Sequence, residues 1–258
     1  MMKKVSGWII GLAWLLSFTL TQAGSSADSM FVQAGRLLEQ GHNQWSEPLM
    51  LQARSIYERL SSHPAHAWLG HYYLGLSDYR LANYYRSKSR ETDYERYVDD
   101  GIDHLKKSLD LKKNAADTHA LLGSLYGLKI TGMASSFIYG PKSAGCLEKA
   151  IELDSTNPRV YLFSGISNKY KPGMFGGGPE KAVRDFLKAI TCFRKFRPEL
   201  PIYPDWGREE AHAWLGMVYL EEGDCQAAER EFNAALAINP DYGWVRYDLM
   251  RNLEKKCP

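Results

Sequence analysis

The chain has 258 residues, 45% hydrophobic and 24% charged, with 22 Gly and 11 Pro. This balance excludes a disordered or collagen-like chain and is enough for one large folded domain or two small ones. Lys and Arg total 32 against 30 Asp and Glu, a formal net charge of +2, so no global field draws the chain to nucleic acid or to an anionic membrane.

Lys3 and Lys4 precede an uncharged run from Val5 to Ala27 whose apolar centre is Trp8 to Leu16, and Thr21-Gln22-Ala23 offers a small–x–small cleavage site. A basic start, a short apolar stretch and such a site predict a secretory signal peptide over residues 1–23, removed on export. The competing reading is an uncleaved anchor, because the run is just long enough to span a bilayer. Nothing after Ser25 is apolar for long enough to cross a membrane, so the mature chain is expected to have no membrane span. Residues 24–29 are expected as a disordered lead-in and 30–258 as a single domain. The four cysteines, Cys146, Cys192, Cys225 and Cys257, include no C-x-x-C pair, and no Asn lies in an N-x-Ser/Thr sequon. Together these features point to the periplasm.

In chain order, Met30 to Gln40 reads as a first helix, and Ala53, Tyr57 and Leu60 mark a second before His63-Pro64. A repeated string follows. His66-Ala67-Trp68-Leu69-Gly70 recurs as His212-Ala213-Trp214-Leu215-Gly216, with Tyr73 and Tyr219 each three residues after the Gly. A third copy begins His119-Ala120-Leu121-Leu122-Gly123 and reaches Tyr126, and a degenerate one starts at Asn157-Pro158 with Gly165 in the Gly place. Each copy continues into a second apolar face: Gly101, Leu105, Ser108; Leu147, Ala150, Leu153; Ala182, Phe186, Ala189; Ala228, Phe232, Ala235. Spacings of four and three are the buried stripe of an antiparallel helix, and the Gly allows that helix to come close. Trp244 to Lys255 reads as a capping helix.

The stretch Glu209 to Tyr242, carrying Leu215, Gly216, Tyr219, Ala228, Phe232, Ala235 and Pro240, resembles the tetratricopeptide repeat, a helix–turn–helix unit of about 34 residues. The family's Trp is replaced by His66, His119 and His212. The resemblance implies an all-α, right-handed superhelical solenoid of about five antiparallel hairpins plus a C-terminal cap. It also implies a concave groove, lined by the first helix of each hairpin, that takes a protein or peptide. Residues expected to lean into that groove are His71, Asp117, Ser124, Arg159, Ile166, Lys169, Tyr170, Glu210 and Met217.

Other features divide between a plain and a functional reading. Lys171 to Ala182, with Gly176-Gly177-Gly178, resembles segments of exported bacterial tetratricopeptide proteins. It reads as an elongated loop with Met174 and Phe175 folded onto the solenoid edge, or as an anion-binding turn. The Tyr- and Arg-rich stretch Tyr79 to Tyr97 reads as a pair of long, ion-paired helices or as a partner surface. The histidines, a repeat apart, do not converge on one metal ion, and no G-x-S-x-G, H-E-x-x-H or Walker string occurs. Cys225 and Cys257 are placed to staple the cap, with Cys146 and Cys192 expected free and buried. The expectation is a non-enzymatic protein-binding adaptor without metal, cofactor or nucleic acid. The alternative is a solute-binding accessory, similar in general plan to the tetratricopeptide components of tripartite transporters.

Overall fold

The computed structural model describes residues 26–257, and the expected signal peptide lies outside them. Residues 26–43 form α1, with Ala27, Phe31, Ala34 and Leu38 buried at spacings of four and three. Residues 26–29 are therefore helical, not a disordered lead-in: Ala27 is buried, and the Asp28 carboxylate sits 3.2 Å from His66 Nε2. Five hairpins follow one another: α1 with α2 (Glu47–Leu60), α3 (Ala67–Ser87) with α4 (Glu91–Leu111), α5 (Ala116–Leu128) with α6 (Met133–Leu153), α7 (Pro158–Tyr170) with α8 (Pro179–Lys195), and α9 (Arg208–Glu221) with α10 (Cys225–Ile238). A π-helical turn, Trp244–Leu249, runs into the last helix, α11 (Met250–Lys256), which packs on α10. This is the expected solenoid, and among the described residues there is no strand and no helix long and apolar enough to cross a membrane.

The repeat glycines do the work expected of them, in one corrected register. A Cβ on Gly123 would meet Leu147, one on Gly165 would meet Phe186 and one on Gly216 would meet Phe232, each on the second helix of the same hairpin. In α3 that place belongs to Gly75, against Leu105, whereas Gly70 touches the end of α2 at Ser61. The identical string at His66 is thus displaced by five residues. His71, not His66, is the structural equivalent of His119 and His212, and His66 precedes α3 at its cap. Three residues after Gly75 stands Asp78, fully buried between Arg54 Nε at 2.6 Å and His104 Nδ1 at 2.8 Å, in the place where Tyr126 and Tyr219 fill the neighbouring hairpins. Asn168 takes the same place in α7 and donates to Asp185.

The largest departure from a simple solenoid is the connection between α8 and α9. Residues 196–207 contain Pro198, Pro201 and Pro204, which forbid helix there, and cross the inner side of the molecule back to α3. Tyr73 donates its hydroxyl to the Ile202 carbonyl at 2.9 Å, and Trp206 Nε1 donates to the Tyr72 hydroxyl at 3.1 Å. The Trp206 ring stands edge-on to Phe163 and is covered by the Arg80 guanidinium 5.6 Å from its centroid. Gly207 closes the strap with φ +100°, a left-handed conformation that suits glycine, and a side chain there would also press on Leu162 and Phe193. Every member of the two buried clusters comes from residues 27–253.

A disulfide joins Cys225 to Cys257 across 6.0 Å between Cα atoms, while Cys146 and Cys192 remain free and half-buried. Lys256 adds to the staple by donating to the Leu220 and Glu221 carbonyls at the end of α9. Peptide mapping without reduction should recover 225 linked to 257. Cys257→Ser should cost about 3 kcal/mol in denaturant unfolding, the order set by closing a loop of this length. Trp206→Ala should cost about 3–5 kcal/mol as a buried Trp truncation, against almost nothing if the strap only rested on the surface.

Candidate functional site

The strap changes what the inner face can do. Arg159, expected in an open groove, is 1% exposed: its Nε donates to Asp117, itself bound by Asn157, and its guanidinium lies 4.5 Å over the Phe196 ring. Ser124 is also buried. Glu210 is buried against Arg80 at 3.4 Å. His71 faces away from the inner side, stacked 6.0 Å from His104 between α3 and α4, where burial and the neighbouring His104 and Lys107 lower its pKa. Ile166, Lys169, Tyr170 and Met217 stay at the rim. Lys169 pairs with Glu221 at 2.9 Å and lies over Tyr170, whose ring meets Trp214 edge-on. The nine residues thus scatter between a buried layer, a hairpin interior and a rim.

The Tyr/Arg-rich hairpin is likewise turned inward. Tyr79, Tyr85, Tyr94 and Tyr97 are buried, Tyr85 stacks on Tyr97 at 5.3 Å, and Tyr94 donates to the Leu128 carbonyl. Arg90 and Arg96 cover these rings from outside. Its aromatics stabilise two long helices and leave little for a partner. The glycine-rich loop is no anion cradle either: the Gly176, Gly177 and Gly178 amides donate to Gly173, Pro172 and Asn168 carbonyls. Lys181 turns inward to the Gly176 carbonyl at 2.6 Å. Met174 and Phe175 are not folded onto the edge but stand out at 85% and 55% exposure, because the loop closes on its own hydrogen bonds.

What remains open is a cleft of about 730 Å3 along α1, with the strap and the start of α9 as its other wall. Val32, Gly35, Arg36, Gln40, Asn43 and Gln44 form one side, and Pro201, Ile202, Tyr203, Asn239 and Asp241 the other. A second hollow of about 650 Å3 continues past Asp28, Gln33 and Leu200. Gly35 leaves the floor bare down to Tyr57, whose fully buried hydroxyl finds no hydrogen-bond partner among the described residues. No sequence pattern marked this cleft, since it arises where residues about 170 apart meet.

Beneath the cleft lies a buried charge cluster. Arg80 from α3 reaches Glu39 at 3.2 Å and Glu210 at 3.4 Å, and it donates to the Leu38 carbonyl. Glu209 and Glu210 open α9, and His42 and Tyr242 complete the shell. Glu209 and Glu210 are buried near the single Arg80 guanidinium, with the partly exposed Glu39 beside them, so the two buried carboxyls lose solvation that favours their charged forms. Burial, with Glu39 nearby, pushes Glu210 up to about 7 against the pull of Arg80; burial and the two other carboxyls push Glu209 well above the carboxylate range. Burial and Arg80 hold His42 neutral. Burial raises Tyr242 beyond any role as an ion. Glu209 and Glu210 therefore bind protons more tightly in the fold than in the unfolded chain, and their contribution to stability is lost as pH rises through the raised values. His42 and His71, with lowered pKa values, act in the opposite sense below the ordinary His pKa of about 6.5. The melting temperature should fall from about pH 6.5 to about pH 8, where the two glutamates act without that opposition, and Glu209→Gln should flatten that slope. A flat profile in the parent would contradict the cluster.

No protein-family model matches the chain, and no curated protein sequence does. Among solved structures it is similar to the HusA haemophore from Porphyromonas gingivalis, with a TM-score of 0.63 and 21% identity over 76% of this chain and 93% of that one. It is also similar to TTC0263, a tetratricopeptide protein of Thermus thermophilus, with a TM-score of 0.59 and 14% identity over 86% and 99%. Cut9 in the APC/C assembly with Hcn1 aligns at a TM-score of 0.51 and 12% identity, over 89% of this chain and 40% of that one. At these identities the likeness concerns the fold, and the hairpins, the glycine contacts and the cap agree with it: the chain is a tetratricopeptide-type α-solenoid.

Proposed function

We propose that the chain is a non-enzymatic scaffold of the bacterial periplasm that binds an extended segment of another protein in the cleft along α1, in place of a concave groove. The observation that carries this is the strap: it fills the inner face with the chain's own Ile202 and Trp206 and leaves α1 as the open wall. Gln40, Asn43, Gln44 and Asn239 line the cleft with carboxamides, each able to donate and accept, which suits main-chain amides of an extended peptide. Arg36 adds a cation on the exposed side. Tetratricopeptide solenoids as structural relatives support protein binding in general. The N-terminal leader supports export.

A small solute in the same cleft is a second reading, favoured by the unpartnered Tyr57 hydroxyl at its floor and by the structural likeness to a haemophore. The two readings separate cleanly. With a photocrosslinker at Gln40, the scaffold reading expects one stoichiometric protein captured in the envelope and lost when Gly35→Leu fills the cleft without changing the melting curve. Capture unaffected by Gly35→Leu would contradict it. A rise in melting temperature with haemin, abolished by Gly35→Leu, would favour the solute.

A further inference from the structure

The net charge of the chain is close to neutral, yet its carboxylates are absent from two long stretches. No Asp or Glu occurs from Thr118 to Leu147 or from Ser155 to Pro179. These stretches contain the α5–α6 and α7–α8 turns. α5 and α7 are the first helices of adjacent hairpins, pack against each other and run the same way, so both turns emerge at the same edge of the solenoid.

At that edge α6 outruns its partner. Ser143 hydrogen-bonds to the Gly123 carbonyl and Tyr139 stacks on Tyr126, so residues 133–138 lie beyond the end of α5 at Leu128. Met133 is 80% exposed and Phe137 71%, with Ile138 and Ile130 also open, and no charged residue occurs from 130 to 141. The adjacent turn presents Tyr170, Met174 and Phe175. Lysines frame this apolar edge. Lys142 lies over Tyr126 and Tyr139, and neither it nor Lys171 has a carboxylate within 4 Å among the described residues; Lys129 is paired with Asp99. The first turn of α6 has no acidic residue to offset its dipole.

We infer that this edge docks on the surface of an anionic phospholipid membrane, with Met133, Phe137, Ile138, Met174 and Phe175 entering the interface and Lys142 and Lys171 facing the phosphates. Its shape argues for lipid over protein. The apolar groups project from a helix end and a turn, offering no concave packing surface. The amides of residues 175–178 are spent internally, so few directed hydrogen bonds are available. A lipid interface asks for neither: it takes aromatic and Met side chains at headgroup depth and rewards nearby lysines.

The test uses the chain from Ser25 onward, which keeps the whole described core and removes the apolar leader as a confounding anchor. Flotation is measured with vesicles of 40% phosphatidylglycerol in phosphatidylcholine and with pure phosphatidylcholine. The parent should float with the anionic vesicles and at least tenfold less with neutral ones. Phe137→Ser/Ile138→Ser and Met174→Ser/Phe175→Ser should each lower the partition coefficient at least fivefold, as should Lys142→Glu/Lys171→Glu. Every position altered is exposed except the half-buried Lys171, and unchanged melting curves confirm folding. A parent that stays with the solution would overturn the inference, as would variants that float equally well. A parent that stays in solution and self-associates through Phe137 in sedimentation equilibrium would replace it with a protein contact.

Discussion

The crossing of the strap over the inner face is the constraint on which the rest of the molecule depends. A tetratricopeptide-type solenoid left to itself presents a concave wall of first helices. Here Ile202 and Trp206 are buried against Tyr72, Tyr73 and Phe163, and the Arg80 guanidinium covers the indole. Once that layer is in place, Arg159 and Glu210 cannot face solvent. Each instead turns to a partner inside the molecule, Arg159 to Asp117 and Glu210 to Arg80. Such contacts are costly to bury and costlier to break by removing one partner.

Arg80 also couples distant parts of the chain. It joins α3 to Glu39 on α1 and to Glu210 on α9, while the backbone at Gly243 comes so close to the Asn43 carbonyl that a side chain could not fit. The first and last hairpins therefore meet, and what stays open is the cleft between α1 and the strap. The protonation of Glu209 and Glu210 belongs to the same geometry. Three carboxyls converge because the ends of the solenoid converge.

The hairpins were legible because helix packing repeats: glycine beside Leu or Phe, with second-helix positions four and three apart, needs only local spacing. The displaced first copy shows the limit of that signal. His66-Ala67-Trp68-Leu69-Gly70 matches the later string letter for letter, but only Gly75 faces Leu105. The place three residues on holds Asp78, whose buried partners Arg54 and His104 come from α2 and α4, so no local pattern could reveal it. The α1 cleft was invisible for the same reason, since its walls lie at opposite ends of the chain. The disulfide lay between these cases: both cysteines sit at the cap edge, although sequence spacing alone does not fix pairing. The Tyr/Arg stretch misled because residues common in partner surfaces are equally suited to stacking within two long helices.

Hydroxyl-radical footprinting of the folded chain tests the filled inner face most directly. The account predicts that Trp206, Tyr73 and Tyr79 stay protected while Met174, Tyr170 and Tyr247 are oxidised, with protection lost together on unfolding. Oxidation of Trp206 and Tyr73 as fast as Tyr247 in the native chain would mean an open concave groove and would contradict the strap.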